Sequence, residues 1–81
     1  MSEEWQEIND SLKKVFVFKD FLSAMRWMQK AAPEIEKMNH HPEWSNVYNR
    51  ITVVLRTHDA GNKVTDKDRR LAALLDGISA D

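Results

Sequence analysis

Ile51-Thr52-Val53-Val54-Leu55-Arg56-Thr57-His58 is the stretch from which the fold can be built. Ile51, Val53 and Leu55 alternate with Thr52, Val54 and Arg56, and a period of two marks a β-strand because successive side chains point to opposite faces. One face is therefore expected on a core, and His58 stands just past the strand's end. Immediately upstream, Asn46-Val47-Tyr48-Asn49 has an asparagine at each end and reads as a turn. Glu43 to Ser45 before it can begin a partner strand. Two strands joined by a short turn run antiparallel, so the start of one lies beside the end of the other. That geometry is expected to bring His58 next to His40-His41.

Further toward the N-terminus, Asp20 is a candidate N-cap whose carboxylate can accept a bond from a first-turn amide. Phe21, Ala24, Met25, Met28, Ala32 and Ile35 recur at helical spacing opposite Ser23, Arg26, Lys30 and Lys37. They predict an amphipathic helix from Asp20 to Met38. Pro33 removes a backbone donor and crowds the preceding turn, so a kink or a restart is expected there. Helical geometry carried to the end would put Glu36 and His40 on one face, with Asn39 beside them. Pro42 disfavours helix for His41, so the second imidazole is expected to aim differently from the first. Earlier still, Trp5 to Ile8 and Leu12 to Phe18 flank Asn9-Asp10-Ser11, the pattern of a β-hairpin. Leu12, Phe16 and Phe18 share one side of its second strand and Val15 and Val17 the other, so both sides carry apolar residues.

Downstream, Ala60-Gly61-Asn62-Lys63 reads as a loop and Thr65-Asp66-Lys67-Asp68 as a capping box with aspartate in place of the usual glutamate. Leu71, Leu74, Leu75 and Ile78 then mark a second helix ending near Gly77. The order is ββαββα. It predicts an α+β fold: a two-layer sandwich in which a four-stranded antiparallel sheet carries both helices on one face, as a single domain over 1–81.

Composition bounds the function. The 81 residues contain no cysteine and carry a net charge of -1, with basic residues scattered along the chain. Disulfides and cysteine-ligated metals are excluded, and no basic stripe is present to neutralise phosphates, so no direct nucleic-acid contact is expected. No run approaches the ~20 apolar residues of a membrane span, and the first residues lack the pattern of a secretory leader. A soluble, cytoplasmic protein is expected.

The chemistry is concentrated in the histidines, the side chains that exchange protons near neutral pH. All three fall in Glu36-Lys37-Met38-Asn39-His40-His41-Pro42-Glu43-Trp44 or in Thr57-His58-Asp59. Taken alone, His40-His41 also fits a structural pair bonded to carbonyls at a helix end. A three-histidine zinc site is disfavoured, because adjacent ligands with a distant third lack the usual helical spacing. Trp5, Trp27 and Phe21 read as core or interface residues, Trp44 fits either a ring-binding surface or packing, and Lys13-Lys14 and Arg69-Arg70 read as solvated faces.

Glu36 to Asn49, followed by Thr57-His58-Asp59-Ala60-Gly61, resembles the signature of the pterin-4a-carbinolamine dehydratases, with the likeness running from about Trp5 to Ile78. The resemblance implies a lyase that dehydrates a 4a-hydroxytetrahydropterin (4a-carbinolamine) to quinonoid dihydropterin, in support of tetrahydropterin recycling, without a metal or organic cofactor. It implies a catalytic set of His40, His41 and His58. Glu36 would orient the histidines or the pterin, and Pro42, Trp44, Thr57, Asp59 and Ala60 would line the pocket. The acidic residue that follows in the family matches Asp68, although the loop Gly61-Asn62-Lys63-Val64-Thr65 is one residue longer than the family pattern. Family members usually carry an additional N-terminal helix before the position of Trp5. Only four residues precede Trp5 here, so that helix is expected to be absent.

The small core and the two apolar sides of the Leu12 to Phe18 strand predict a homo-oligomer, and the resemblance implies that it is a homodimer or homotetramer. An alternative function on the same fold is a non-enzymatic protein-interaction module. Related proteins act as dimerisation cofactors of a homeodomain transcription factor, and relatives that have lost the histidines serve as assembly chaperones for Rubisco. This chain retains the histidines, which favours catalysis.

Overall fold

The structure, a computed structural model, describes residues 4–80. The expectations placed on residues 1–3, concerning a leader and an additional family helix, lie outside the described residues. Four strands, β1 (Gln6–Ile8), β2 (Ser11–Val17), β3 (Glu43–Val47) and β4 (Arg50–Leu55), form one antiparallel sheet in the order β1-β2-β4-β3. Two helices, α1 (Phe21–Met38) and α2 (Asp66–Asp76), complete the ββαββα order. The α+β architecture is as the alternation of Ile51, Val53 and Leu55 requires: these three side chains are buried, and they meet Leu12, Phe16, Trp27, Ile35, Leu71 and Leu75 in one cluster. Among the described residues, no helix is long and apolar enough to cross a membrane.

The two hairpins turn more tightly than their sequences suggested. Ile8 pairs with Ser11, so Asn9-Asp10 alone make the first turn and Ser11 opens β2. Asn9 (φ 51°) and Asp10 (φ 59°) both occupy the left-handed region, which is what a two-residue turn matched to strand twist demands. Val47 pairs with Arg50, leaving Tyr48-Asn49 as the second turn and extending β3 two residues past the expected Ser45. The Asn49 side chain donates to the Phe18 carbonyl at 2.8 Å and ties this turn to the end of β2.

α1 begins where Asp20 accepts a bond from the Ser23 amide at 2.8 Å, the expected cap. It then runs unbroken through Pro33, with neither the restart nor a second segment. Pro33 lies on the exposed side, where solvent can serve the carbonyl that its missing N–H leaves unpaired. The buried stripe is Ser23, Ala24, Trp27, Ala31 and Ile35. This differs from the expected stripe: Phe21 is 44% exposed and Ala32 is exposed, because the bulk of Trp27 against Phe16, ring centroids 4.6 Å apart, sets the rotation of the helix. The pair Lys13-Lys14 is also split. Lys14 points to the helix side, reaching Asp76 at 2.6 Å and the face of Phe16 at 4.7 Å, while Lys13 is exposed. Arg69, read as solvated, bonds Glu7 at 3.0 Å across the molecule, and both side chains remain largely exposed.

Candidate active site

α1 ends at Asn39, which adopts the left-handed conformation (φ 51°, ψ 40°) and bonds its amide to the Glu36 carbonyl. Asparagine tolerates this geometry better than other residues with side chains, and it terminates the helix sharply. The chain leaves in a new direction, and the two histidines separate. His40 turns inward, its Nε2 2.6 Å from Asp68 Oδ1 on α2. His41 turns outward, its Nε2 2.7 Å from Glu36 Oε1. The expectation that Glu36 would lie with His40 is thus corrected: it holds for His41, because the left-handed residue breaks the helical spacing one position before His40.

At the other end of the hairpin, β4 leads through Thr57 into a short 3-10 turn, His58–Ala60. Gly61 (φ 77°) and Asn62 (φ 60°) fold the loop back so that Thr57 and Lys63 form a bridge. A side chain at position 61 would meet nothing nearby, so the glycine answers the backbone angle and not crowding. Within this loop His58 Nδ1 lies 2.7 Å from the side-chain oxygen of Asn62. His40, His41, Pro42, Thr57, His58 and Asp59 line one cavity of about 410 Å³, together with Asn39, Glu43 and Lys67. The antiparallel pairing of β3 and β4 creates this convergence.

Asp68 lies behind His40, with none of its surface exposed. Its Oδ2 accepts the Thr57 hydroxyl at 2.8 Å and the Thr65 amide at 2.9 Å, the second being the aspartate half of the capping box. Burial pushes the carboxyl up, but the bonds from His40, the Thr65 amide and Thr57 outweigh it and hold the group below the usual aspartate value. The carboxylate is therefore ionised, fully bonded, and in contact with the innermost imidazole. The longer Gly61–Thr65 loop does not prevent this reach.

The remaining expected residues divide. Glu36 is at the rim, its side chain 78% exposed. Ala60 lines an adjoining hollow with Thr57 and Asp59. Trp44 is half-buried against the core, its ring 6.1 Å from Trp27. Asp68 reaches the site only through His40. Sequence reasoning did not assign Asn39, Glu43, Lys67 or Asn62 to the site. Asn39 and Asn62 carried a signal, since each is an asparagine beside a histidine-bearing turn and both adopt positive φ. Lys67 carried none beyond its place beside Asp68.

A sequence profile described as Pterin 4 alpha carbinolamine dehydratase matches residues 1–78. The chain belongs to the pterin-4a-carbinolamine dehydratase family. Relatives in this family include a chain from Opitutus terrae that is 53% identical over 75 residues, covering 93% of this chain and 77% of the relative. Another, from Solibacter usitatus, is 51% identical over 76 residues, covering 94% and 79%. Both carry the provisional name of a pterin-4-alpha-carbinolamine dehydratase. Among solved structures, a transcriptional coactivator/pterin dehydratase from Brucella melitensis superposes with a TM-score of 0.86 at 42% identity, covering 93% of this chain and 81% of that one.

Proposed function

We propose that this chain dehydrates a 4a-hydroxytetrahydropterin to the quinonoid dihydropterin and water, in support of tetrahydropterin recycling. The observation that carries the reading is the single cavity in which three imidazoles meet, each with one ring nitrogen held by a protein group: Asp68, Glu36 or Asn62. Holding one nitrogen frees the other to exchange a proton. In the reaction the N5 lone pair forms the C4a–N5 double bond as the C4a–O bond breaks. A general acid protonates the departing hydroxyl to give water, and a general base takes the N5 proton. Imidazoles suit both tasks near neutral pH. We assign the inner role to His40, backed by buried Asp68, and the rim roles to His41 and His58. Pro42, Thr57 and Asp59 form the walls, and Glu36 orients His41.

The test is to mix purified protein with freshly generated 4a-hydroxytetrahydropterin and follow dehydration spectroscopically. A rate above buffer that is lost in a His41→Ala, His58→Ala double variant is expected. A rate no faster than buffer counts against the proposal.

A second reading, a protein-interaction module, is favoured by one observation: the Brucella melitensis relative is described as a transcriptional coactivator as well as a pterin dehydratase. A stoichiometric protein complex that survives substitution of all three histidines would support it. Loss of that complex together with the histidines would instead tie any partner to the cavity.

A further inference from the structure

The hydroxyls of Thr57 and Thr65 take no part in the reaction as described, yet both belong to one chain of hydrogen bonds that ends on His40. Thr57, only 6% exposed, donates its hydroxyl to Asp68 Oδ2 at 2.8 Å, and its Oγ1 lies 2.6 Å from Thr65 Oγ1. A hydroxyl has one hydrogen and an ionised carboxylate has none to give. Thr57 therefore gives its hydrogen to Asp68, and the short contact between the threonines requires Thr65 to donate to Thr57. The Thr65 amide also donates to Oδ2, at 2.9 Å. Asp68 Oδ2 is thus occupied by donors from the Thr57 and Thr65 positions, and Oδ1 is left facing His40 Nε2 at 2.6 Å. Because the carboxylate cannot donate, Nε2 must. A neutral imidazole has one N–H, so its lone pair is then on Nδ1.

We propose that Thr57 and Thr65 are positioning residues that act through Asp68 to hold His40 in its Nε2–H tautomer, leaving Nδ1 as the ring's proton-accepting atom. Without the Thr57 hydroxyl, Oδ2 would keep the Thr65 amide alone in a site closed to water. The carboxylate could then rotate toward other donors, and the tautomer of His40 would no longer be set. The low carboxyl of Asp68 accords with this arrangement, since its bonds must outweigh burial. The inference rests on the dehydratase reading only for its rate measurement.

The test uses the full chain labelled with 15N. Long-range proton–nitrogen correlations of the His40 ring, assigned by comparison with His40→Gln, are recorded at about pH 9, above the ordinary histidine range. The wild-type ring is expected to show a protonated Nε2 and a bare Nδ1. Thr57→Val is expected to move both nitrogens toward tautomer-averaged positions and to lower kcat about tenfold with KM within about twofold, the size of one lost bond to a charged group. Thr57→Ser, which keeps the hydroxyl, should restore spectrum and rate together.

A wild-type ring protonated on Nδ1 would overturn the proposal. So would a Thr57→Val ring identical to wild type, whether or not its rate falls, and so would a changed ring with an unchanged rate. Circular dichroism checks the fold. Should Thr57→Val not fold, Thr65→Ala, at the half-buried end of the chain, is read by the same criteria. The ring spectrum needs no pterin, so a protein inactive on 4a-hydroxytetrahydropterin would sink the dehydratase reading and leave the tautomer assignment to stand or fall on its own.

Discussion

Three imidazoles share the cavity, but their surroundings differ enough to predict unequal roles. His40 has a side chain 11% exposed and is bonded to a carboxylate with no exposure, whereas His41 and Glu36 are 58% and 78% exposed. His40→Gln is therefore expected to lower kcat by about 10²-fold or more, the scale of a lost general acid or base. Asp68→Asn is expected to follow it in direction. Glu36→Gln should change kcat/KM by no more than about fivefold, because even a fully charged contact between side chains this exposed is worth only ~0.2–1 kcal/mol. Steady-state kinetics of the three variants check this ordering, and a Glu36→Gln loss as large as that of His40→Gln would contradict it. Asp68 also predicts a pH dependence of stability. Its folded carboxyl lies below the ordinary 3.8, so the unfolded chain takes up a proton first as pH falls. The stabilisation is present above the unfolded value and is lost as pH drops through the folded one. Urea midpoints are expected to decline below about pH 4, and Asp68→Asn should flatten that limb while lowering the plateau.

Among the elements, α1 carries the most internal conflict. Its interior contains Pro33, yet the helix continues because Trp27, Ala31 and Ile35 anchor both sides of that residue in the core. Packing overrides local preference here. Pro33→Ala would restore a backbone bond and remove the crowding, offset in part by a more flexible unfolded chain. It is expected to raise stability by about 1–2 kcal/mol, read as a higher urea midpoint with an unchanged slope. Lower stability would mean that Pro33 shapes the helix end and, with it, the aim of His40. The C-terminal end of α1 matters for this reason: one left-handed residue, Asn39, decides which carboxylate each histidine meets.

At the scale of the whole molecule, the described residues cover the sheet on one face only. Leu12, Phe16, Ile51, Val53 and Leu55 lie under the helices, while Val15, Val17 and Val54 on the other face are only half-buried, and Ile8 and Val47 are 43% and 73% exposed. The strands β1 and β3 are both edges. An apolar outer face and open edges favour association. The chain is expected to sediment as a dimer or tetramer at micromolar concentration. A monomer alone under those conditions would contradict the expectation.

Local pattern determined the elements. The alternation of Ile51, Val53 and Leu55, the Asp20 cap and the Thr65-Asp68 box each depend on neighbours within a few residues, and each formed as read. The convergence of His58 with His40-His41 followed as well, because a short turn between β3 and β4 fixes antiparallel pairing. What tertiary structure decided was direction and partnership. The rotation of α1 depended on how Trp27 met Phe16, and the partners of His40 and His41 depended on a backbone reversal at Asn39. Asp68, which in sequence is a capping residue, became the buried hydrogen-bond partner of His40 only when α2 packed beneath it. Periodicity reports which face of an element is apolar, but not which distant side chain will be standing opposite when the faces close.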